Sequence, residues 1–150
     1  MSLQEKVMSE MKAAMKAKDT VALESLRAIK SALLLAKTDK GADGQFSEED
    51  EIKLVQKLVK QRKDSAAIFT EQGRTDLAEP EMAQIAVIEK FLPAQLSEEE
   101  IEIVVVKTIT NVGASGMQDM GKVMGIVSKE LAGQADGKTI STIVKSKLSS

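Results

Sequence analysis

The sequence predicts an all-α protein. We expect an N-terminal domain of about four helices over residues 1–93 and a C-terminal domain of three helices over residues 94–150. Apolar residues recur at intervals of three and four in nearly every segment, which is the period of a helix with one buried face. Ser2 and Ser97 each stand three residues before a glutamate, which is the spacing of a capping box. No pair of segments with alternating apolar residues indicates neighbouring strands.

The first two helices follow from their polar starts and their apolar stripes. Ser2 caps a helix predicted from about residue 3 to 17, and Asp19 or Thr20 caps the second helix. The segment Thr38–Gln45 is polar and contains two glycines, so we predict a loop there. The predicted buried stripes are Leu3, Val7, Met11, Ala14 and Met15 in the first helix and Leu26, Ile29, Leu33 and Ala36 in the second.

The third and fourth helices are separated at Gly73, a residue suited to the end of a helix. Ser47 opens the third helix, and four acidic residues after it suit the positive end of the helix dipole. Thr75 starts the fourth helix, and Pro80 is placed early in it, where a missing amide hydrogen is tolerated. The predicted buried stripes are Ile52, Val55, Val59, Ala66 and Phe69 in the third helix and Met82, Ile85, Ile88 and Leu92 in the fourth.

A domain boundary is predicted at Phe91–Ser97, because Pro93 disfavours a helical conformation at the residue before it. The run Ile101–Val112 is rich in β-branched residues and also fits a strand, but the capping box at Ser97 favours helix. Asp136 is placed to cap the last helix. The predicted buried stripes are Ile101, Val104, Val105, Thr108 and Val112, then Met120, Val123, Met124, Val127 and Leu131, and finally Ile140, Ile143, Val144 and Leu148.

The composition removes the usual catalytic side chains. The chain of 150 residues has a formal net charge of −2 and contains neither cysteine nor histidine. It therefore lacks a thiolate nucleophile, thiolate zinc ligands and the commonest general base. The acidic run Glu98–Glu100 suits the start of a helix better than a metal site, because neighbouring helix positions point in different directions. We predict no catalytic residue, no metal ligand and no cofactor.

The composition also bears on location and partners. The segment Met1–Lys6 lacks an apolar signal core, and no apolar run is long enough to cross a membrane. We therefore expect a soluble cytoplasmic protein without a membrane partner. Three phenylalanines are the only aromatic residues, so the chain has little with which to stack unpaired bases. Nucleic-acid binding would then depend on local basic patches.

Two groups of cations are candidate phosphate contacts. In the third helix, Lys60, Arg62 and Lys63 continue a basic stripe that begins at Lys53. The alternative is a solvated helix face whose lysines pair with acidic residues four positions away. From Gly113 onward, five lysines stand against three acidic residues, so this part of the chain has a local surplus of positive charge. The five lysines are Lys122, Lys129, Lys138, Lys145 and Lys147.

The last two helices contain further signals. Lys138 lies in the first turn of the predicted last helix, next to backbone amides that can receive a phosphate. For Lys145 and Lys147 there is an alternative to phosphate binding, in which they only complement the negative end of that helix. Gly121 and Gly125 are four residues apart on one helix face, which we interpret as a sign of close helix packing.

Several motifs resemble those of the GatB/YqeY family, and together they cover nearly the whole chain. The most specific is a tail motif that combines Met120–Gly125 with Gly133–Lys138. Gln134 stands where the family often has arginine, and the change removes a guanidinium that binds phosphate in a bidentate manner. The other motifs are Leu26–Ala32, Lys60–Ser65 with Phe69, Gly73–Ala78 and Glu89–Leu96.

The resemblance implies an N-terminal helical domain followed by a three-helix domain like the tail of GatB in the tRNA-dependent amidotransferases, where the tail helps to hold tRNA. It thus implies an accessory tRNA-binding protein without catalytic activity of its own, in which Lys122 and Lys138 match the tail motif. Two alternatives stay open. One is an adaptor for an aminoacyl-tRNA-metabolising enzyme, which the adaptable side chains of Met117, Met120 and Met124 would suit. The other is a carbon–nitrogen ligase activity with glutamine as the amide donor, an activity with which the family is often associated.

Overall fold

The computed structural model describes residues 2–40 and 46–149, and the regular structure in these two ranges is helical. The predicted all-α class is therefore confirmed. The chain divides into two compact units, Met1–Leu92 and Pro93–Ser150. The α-helices of the described ranges are α1 (Leu3–Ala17), α2 (Thr20–Lys40), α3 (Glu48–Glu71), α4 (Thr75–Ile88), α5 (Glu98–Val112), α6 (Met120–Glu130) and α7 (Gly137–Leu148), with 3-10 segments at Glu89–Phe91 and Met117–Asp119.

The helices begin at the polar residues that the sequence indicates. Capping boxes form at Ser2, Ser47 and Ser97, where each hydroxyl oxygen accepts a hydrogen bond from the backbone N–H three residues later. Asp19 and Asp136 cap α2 and α7 through their carboxylate oxygens, at 3.1 Å and 2.7 Å from the backbone nitrogens that donate to them. Such caps stabilise a helix by about 1 kcal/mol each. Because the cap at Ser97 commits the next residues to helix, the β-branched run after it forms α5 rather than a strand.

In the N-terminal unit, α1 packs on α2, and α4 packs on both α2 and α3. Two methionines that were predicted to be buried, Met15 and Met82, are instead more than half exposed. In α4 the buried side is rotated toward Gln84, whose side chain contacts α3. Met82 therefore lies at the edge of the buried side of this helix. Pro80 lies early in α4, as predicted, but in the second turn and so beyond the first turn, where a missing amide hydrogen is tolerated. The buried core is Leu3, Val7, Ala14, Leu26, Ile29, Leu33, Val55, Val59, Ile85 and Ile88.

Helix α2 extends further than predicted. Residues 38–40, which were assigned to the loop, continue the helix, and residues 41–45 of that loop lie outside the described ranges. The hydroxyl of Thr38 donates to the carbonyl of Leu34 at 2.8 Å. The Lys40 ammonium lies 2.7 Å from a carboxylate oxygen of Asp50 and 5.5 Å from the ring centroid of Phe46. These contacts with Asp50 on α3 and with Phe46 hold the last turn of α2 in place, and no glycine interrupts the helix before residue 41.

The contact at Asp50 predicts a pH dependence. Its hydrogen bond from Lys40 and those from Ser47 lower the pKa of the Asp50 carboxyl from 3.8 to about 2. Because the folded pKa is the lower one, the interaction stabilises the fold above pH 3.8 and is lost as the pH falls toward 2. We expect the Asp50→Asn variant to lose less thermal stability than the wild type over this interval, measured by circular dichroism. Equal losses in the two proteins would contradict this role of Asp50.

In the C-terminal unit, α5, α6 and α7 pack against one another in all three pairs. Gly113 ends α5 in the left-handed conformation, with φ at 68°, which glycine adopts without strain. The segment before α5 is attached to the turn between α6 and α7. The Gln95 amide donates to the carbonyl of Gly133 at 2.6 Å, and the Leu96 N–H donates to the carbonyl of Gln134 at 2.9 Å. The buried core is Ile101, Val105, Val123, Val127, Leu131, Ala135, Ile140, Val144 and Leu148.

Candidate nucleic-acid interface

Helix α6 presents two lysines on the side that faces away from its core. Val123 and Val127 are fully buried, whereas Lys122, Gly125 and Lys129 are exposed. Lys122 and Lys129 are seven residues apart, which places them on one face and about 10 Å apart along the helix axis. Two cations with this arrangement can contact two phosphates of one nucleic-acid strand.

Helix α7 repeats the arrangement. Lys138 and Lys145 are exposed and again seven residues apart, on the side opposite the buried Ile140 and Val144. The prediction that Lys138 lies in the first turn of the last helix is confirmed. A backbone amide of that turn already donates to the Asp136 carboxylate, so the Lys138 ammonium is better placed to receive a phosphate than the amides are.

Four of the five C-terminal lysines have no ion pair in the part of the chain that the structure describes. These four are Lys122, Lys129, Lys138 and Lys145. The fifth, Lys147, lies 2.5 Å from a carboxylate oxygen of Glu102 on α5. A lysine without a carboxylate partner can bind a phosphate without first giving up an ion pair, so these four are the stronger candidates.

Three of the four lysines of α3 form ion pairs within the N-terminal unit. Lys60 lies 3.6 Å from Asp64 on the same helix, and Lys63 lies 3.5 Å from Glu89. Lys53 pairs with a glutamate four residues earlier, as expected for a solvated helix face. Exposed ion pairs contribute about 0–1 kcal/mol and exchange readily with other anions. A phosphate contact by Lys60 or Lys63 therefore stays a prediction.

Arg62 has a structural contact that the sequence did not reveal. Its side chain is half-buried, and its Nε donates to the side-chain oxygen of Gln84 on α4 at 2.9 Å. A second guanidinium nitrogen donates to the carbonyl of Leu58 at 3.1 Å. The same guanidinium therefore links α3 to α4, and the predicted contact with tRNA stays a prediction.

The interpretation of Gly121 and Gly125 as a close-packing pair is wrong. A Cβ atom built on either residue meets nothing within 4 Å outside its own helix backbone. Both glycines lie on the exposed side of α6, whose buried residues are Val123 and Val127. The spacing of four therefore reflects a shared solvent-facing side and not a contact between helices.

Open space at Gly125 predicts a stabilising substitution. Glycine in a helix interior is about 1 kcal/mol less favourable than alanine, and no neighbour would clash with the added methyl group. We expect Gly125→Ala to raise the melting temperature of the C-terminal unit, measured by circular dichroism. Gly113→Ala is a matched control that should lower it, because φ at Gly113 is positive. A lower melting temperature for Gly125→Ala would contradict the open space around residue 125.

Two further features are absent from the described ranges. Among residues 2–40 and 46–149, no three acidic side chains come together in a way that could hold a metal ion. In the same ranges, no helix is both long enough and apolar enough to cross a membrane.

Comparison with known proteins identifies the family. The family model described as Yqey-like protein matches residues 4–148. The chain belongs to the YqeY family. This result confirms the resemblance to the GatB/YqeY proteins.

Two kinds of relative are similar to this YqeY chain. One is altered inheritance of mitochondria protein 41, mitochondrial. The protein from Kluyveromyces lactis is 32% identical over 136 residues, which cover 87% of this chain and 68% of that relative. The protein from Clavispora lusitaniae is 37% identical over 95 residues, which cover 62% of this chain and 54% of that relative. The other is the E subunit of glutamyl-tRNA(Gln) amidotransferase from Thermococcus gammatolerans, 35% identical over 104 residues, covering 67% of this chain but 17% of that relative. The YqeY chain is therefore related to an amidotransferase component of which it matches a small part.

Proposed function

We propose that this YqeY protein is an accessory tRNA-binding protein that carries out no covalent chemistry of its own. The observation that carries the proposal is the set of four exposed C-terminal lysines without carboxylate partners in the described ranges. Similarity to a component of an enzyme named for glutamyl-tRNA supports tRNA as the polyanion. The absence of cysteine and histidine from the whole sequence supports a non-catalytic role.

The contacts in this proposal are electrostatic. Lysine ammonium groups bind phosphates as point charges and carry no information about base sequence. Four phosphate contacts correspond to a slope of about −3 to −4 in a plot of log affinity against log salt concentration. Because the whole chain has a formal net charge of −2, we expect weak binding that depends strongly on salt. Such a protein would position tRNA for a partner enzyme rather than select a tRNA by itself.

A titration of labelled bulk tRNA with the full chain tests the proposal. We expect binding at about 0.05 M salt that weakens steeply by about 0.2 M. Absence of binding at the lower salt concentration would overturn the proposal. A parallel assay with glutamine and misacylated tRNA tests the non-catalytic part, and we expect no transfer of the amide. Formation of amidated product by the purified chain would instead favour the ligase alternative.

The place of action is also part of the proposal. We propose the cytoplasm, although the relatives from Kluyveromyces lactis and Clavispora lusitaniae carry the word mitochondrial in their names. Fractionation of cells that express the tagged full chain distinguishes the two compartments.

A further inference from the structure

Helices α1 and α2 form an antiparallel pair, because they pack on each other and only two residues join them. At one end of the pair, the Lys37 ammonium donates to the side-chain oxygen of Gln4 at 3.1 Å, and both residues are exposed. Because both helices rise equally per residue, the same alignment brings Met11 level with Lys30. The sides of the two helices that contain Gln4 and Lys37 therefore border one groove on the outer surface of the pair.

Periodicity identifies the residues that line this groove. From Gln4 onward, intervals of four, three and four residues keep three methionines on one side of α1. From Lys37 backward, intervals of three, four, three and four keep two leucines and two further cations on one side of α2. We call this surface the α1–α2 groove. Its members are Gln4, Met8, Met11 and Met15 of α1 and Leu23, Arg27, Lys30, Leu34 and Lys37 of α2.

The apolar members of the α1–α2 groove expose much of their surface. Met8 is 44% exposed, Met15 is 54% exposed and Leu34 is 67% exposed. Met11 and Leu23 are half-buried and pack against the core of the N-terminal unit, so they continue the apolar surface inward. A partner that covers these side chains would gain the free energy of their burial. Methionine side chains also adapt their shape to a partner, which suits an interface.

All charged members of the α1–α2 groove have the same sign. Arg27, Lys30 and Lys37 are exposed, and none of them has an ion pair in the part of the chain that the structure describes. The groove therefore carries three positive charges and no negative one, although the formal net charge of the whole chain is −2. The neighbouring positions at its edges carry two charges of each sign and leave this balance unchanged. They are Lys12, Lys16, Glu5 and Glu24.

We propose that the α1–α2 groove binds an acidic amphipathic helix of a partner protein. The groove extends from Gln4 to Met15, a length of about 16 Å, which matches about three turns of a helix. The apolar stripe of the partner helix covers the methionines and Leu34, and its flanking carboxylates meet the cations of α2.

The combination of apolar and cationic side chains selects this partner over other anions. A nucleic-acid strand would meet the cations but would leave Met8, Met15 and Leu34 exposed to water. A flat anionic membrane would not fill a groove between two helices. The groove lies in the N-terminal unit and the proposed tRNA contacts lie in the C-terminal unit, so the two proposals are tested separately.

A synthetic peptide of about 14 residues tests the proposal, with leucine along one helical side and glutamate elsewhere. We expect this peptide to bind the full chain, measured by fluorescence anisotropy of the labelled peptide. A scrambled peptide keeps the charge but loses the apolar stripe, and a third peptide has lysine in place of glutamate. Both should bind at least about 10-fold more weakly. Equal binding of the ordered and scrambled acidic peptides, or no binding at about 1 mM, would overturn the proposal.

Two variants separate the charge from the apolar surface. Lys30→Glu and Leu34→Ser should each weaken binding of the ordered acidic peptide about 10-fold, the first through repulsion and the second through lost apolar contact. Both residues are exposed, so the melting temperature should stay unchanged by circular dichroism. Lys57→Glu on α3 is the matched control, because Lys57 is also exposed and has no ion pair in the described ranges. Equal weakening by Lys57→Glu would show that binding is not local to the groove.

Nuclear magnetic resonance of labelled methionine methyl groups locates the bound peptide. The peptide should shift the resonances of Met8 and Met15 but not that of Met82, which is 56% exposed on α4. Shifts at Met82 without shifts at Met8 and Met15 would overturn the proposal. Vesicles of phosphatidylserine that bind the chain more tightly than the peptide does would assign the groove to a membrane instead. Self-association that Lys30→Glu abolishes, measured by analytical ultracentrifugation, would assign it to a second copy.

Discussion

Exchange of Lys122 and Lys138 for glutamate is expected to weaken tRNA binding by about 10- to 100-fold at 0.1 M salt. The double variant loses two ammonium groups that have no ion pair in the described ranges and gains two charges that repel phosphate, one on α6 and one on α7. The slope of log affinity against log salt should become shallower by about two, because each phosphate contact contributes about one. The loss should be the same for all tRNAs, since phosphate contacts do not read bases. The measurement is a fluorescence titration over several salt concentrations.

The matched control for this variant is Lys12→Glu with Lys16→Glu on α1. Both lysines are exposed and without an ion pair in the described ranges, so the control changes the net charge by the same amount at a site outside the C-terminal unit. Its affinity should fall much less, through the change in overall charge alone. Equal losses in the two double variants would show that the effect is not local to α6 and α7. Unchanged binding by the Lys122 and Lys138 variant would remove these lysines from the interface.

Replacement of Ile140 with alanine is expected to lower the free energy of unfolding of the C-terminal unit by about 2–5 kcal/mol. Ile140 is 1% exposed and packs in the core shared by α5, α6 and α7. A unit of this size has a total stability of only a few kcal/mol, at roughly 0.05–0.15 kcal/mol per residue. The substitution therefore removes much of the stability of this unit.

The measurement is thermal unfolding by circular dichroism, in which we expect the two compact units to give separate transitions. Ile140→Ala should shift one transition, and Ile88→Ala in the N-terminal core should shift another. Ile143→Ala is the matched control on α7, because Ile143 is only partly buried and should cost less. A single transition that moves equally for both core variants would show that the units unfold together. Unfolding of the C-terminal unit should also abolish tRNA binding.

The positions of helix boundaries could be predicted because they depend on short-range interactions. Ser47 and Ser97 cap their helices through hydrogen bonds to residues three positions later, so the signal lies within one turn of sequence. The buried stripes of α6 and α7 were predicted for the same reason, since a period of three and four residues identifies one helix side. Met82 was misplaced because the buried side of α4 is rotated toward the polar Gln84, and only packing against α2 and α3 sets this rotation.

The same distinction between local and packing-dependent features applies to the candidate site. The sequence by itself determined which residues are cations, how they are spaced along each helix and which side of α6 or α7 they occupy, because periodicity and local capping set all three. Only the tertiary structure decided which cations have a carboxylate partner on another helix. Lys63 meets Glu89 and Lys147 meets Glu102 across different helices, and the open space at Gly125 follows from how α6 is turned in its unit. Such contacts join residues far apart in the chain, and their distances depend on helix packing, which a single sequence pattern does not specify.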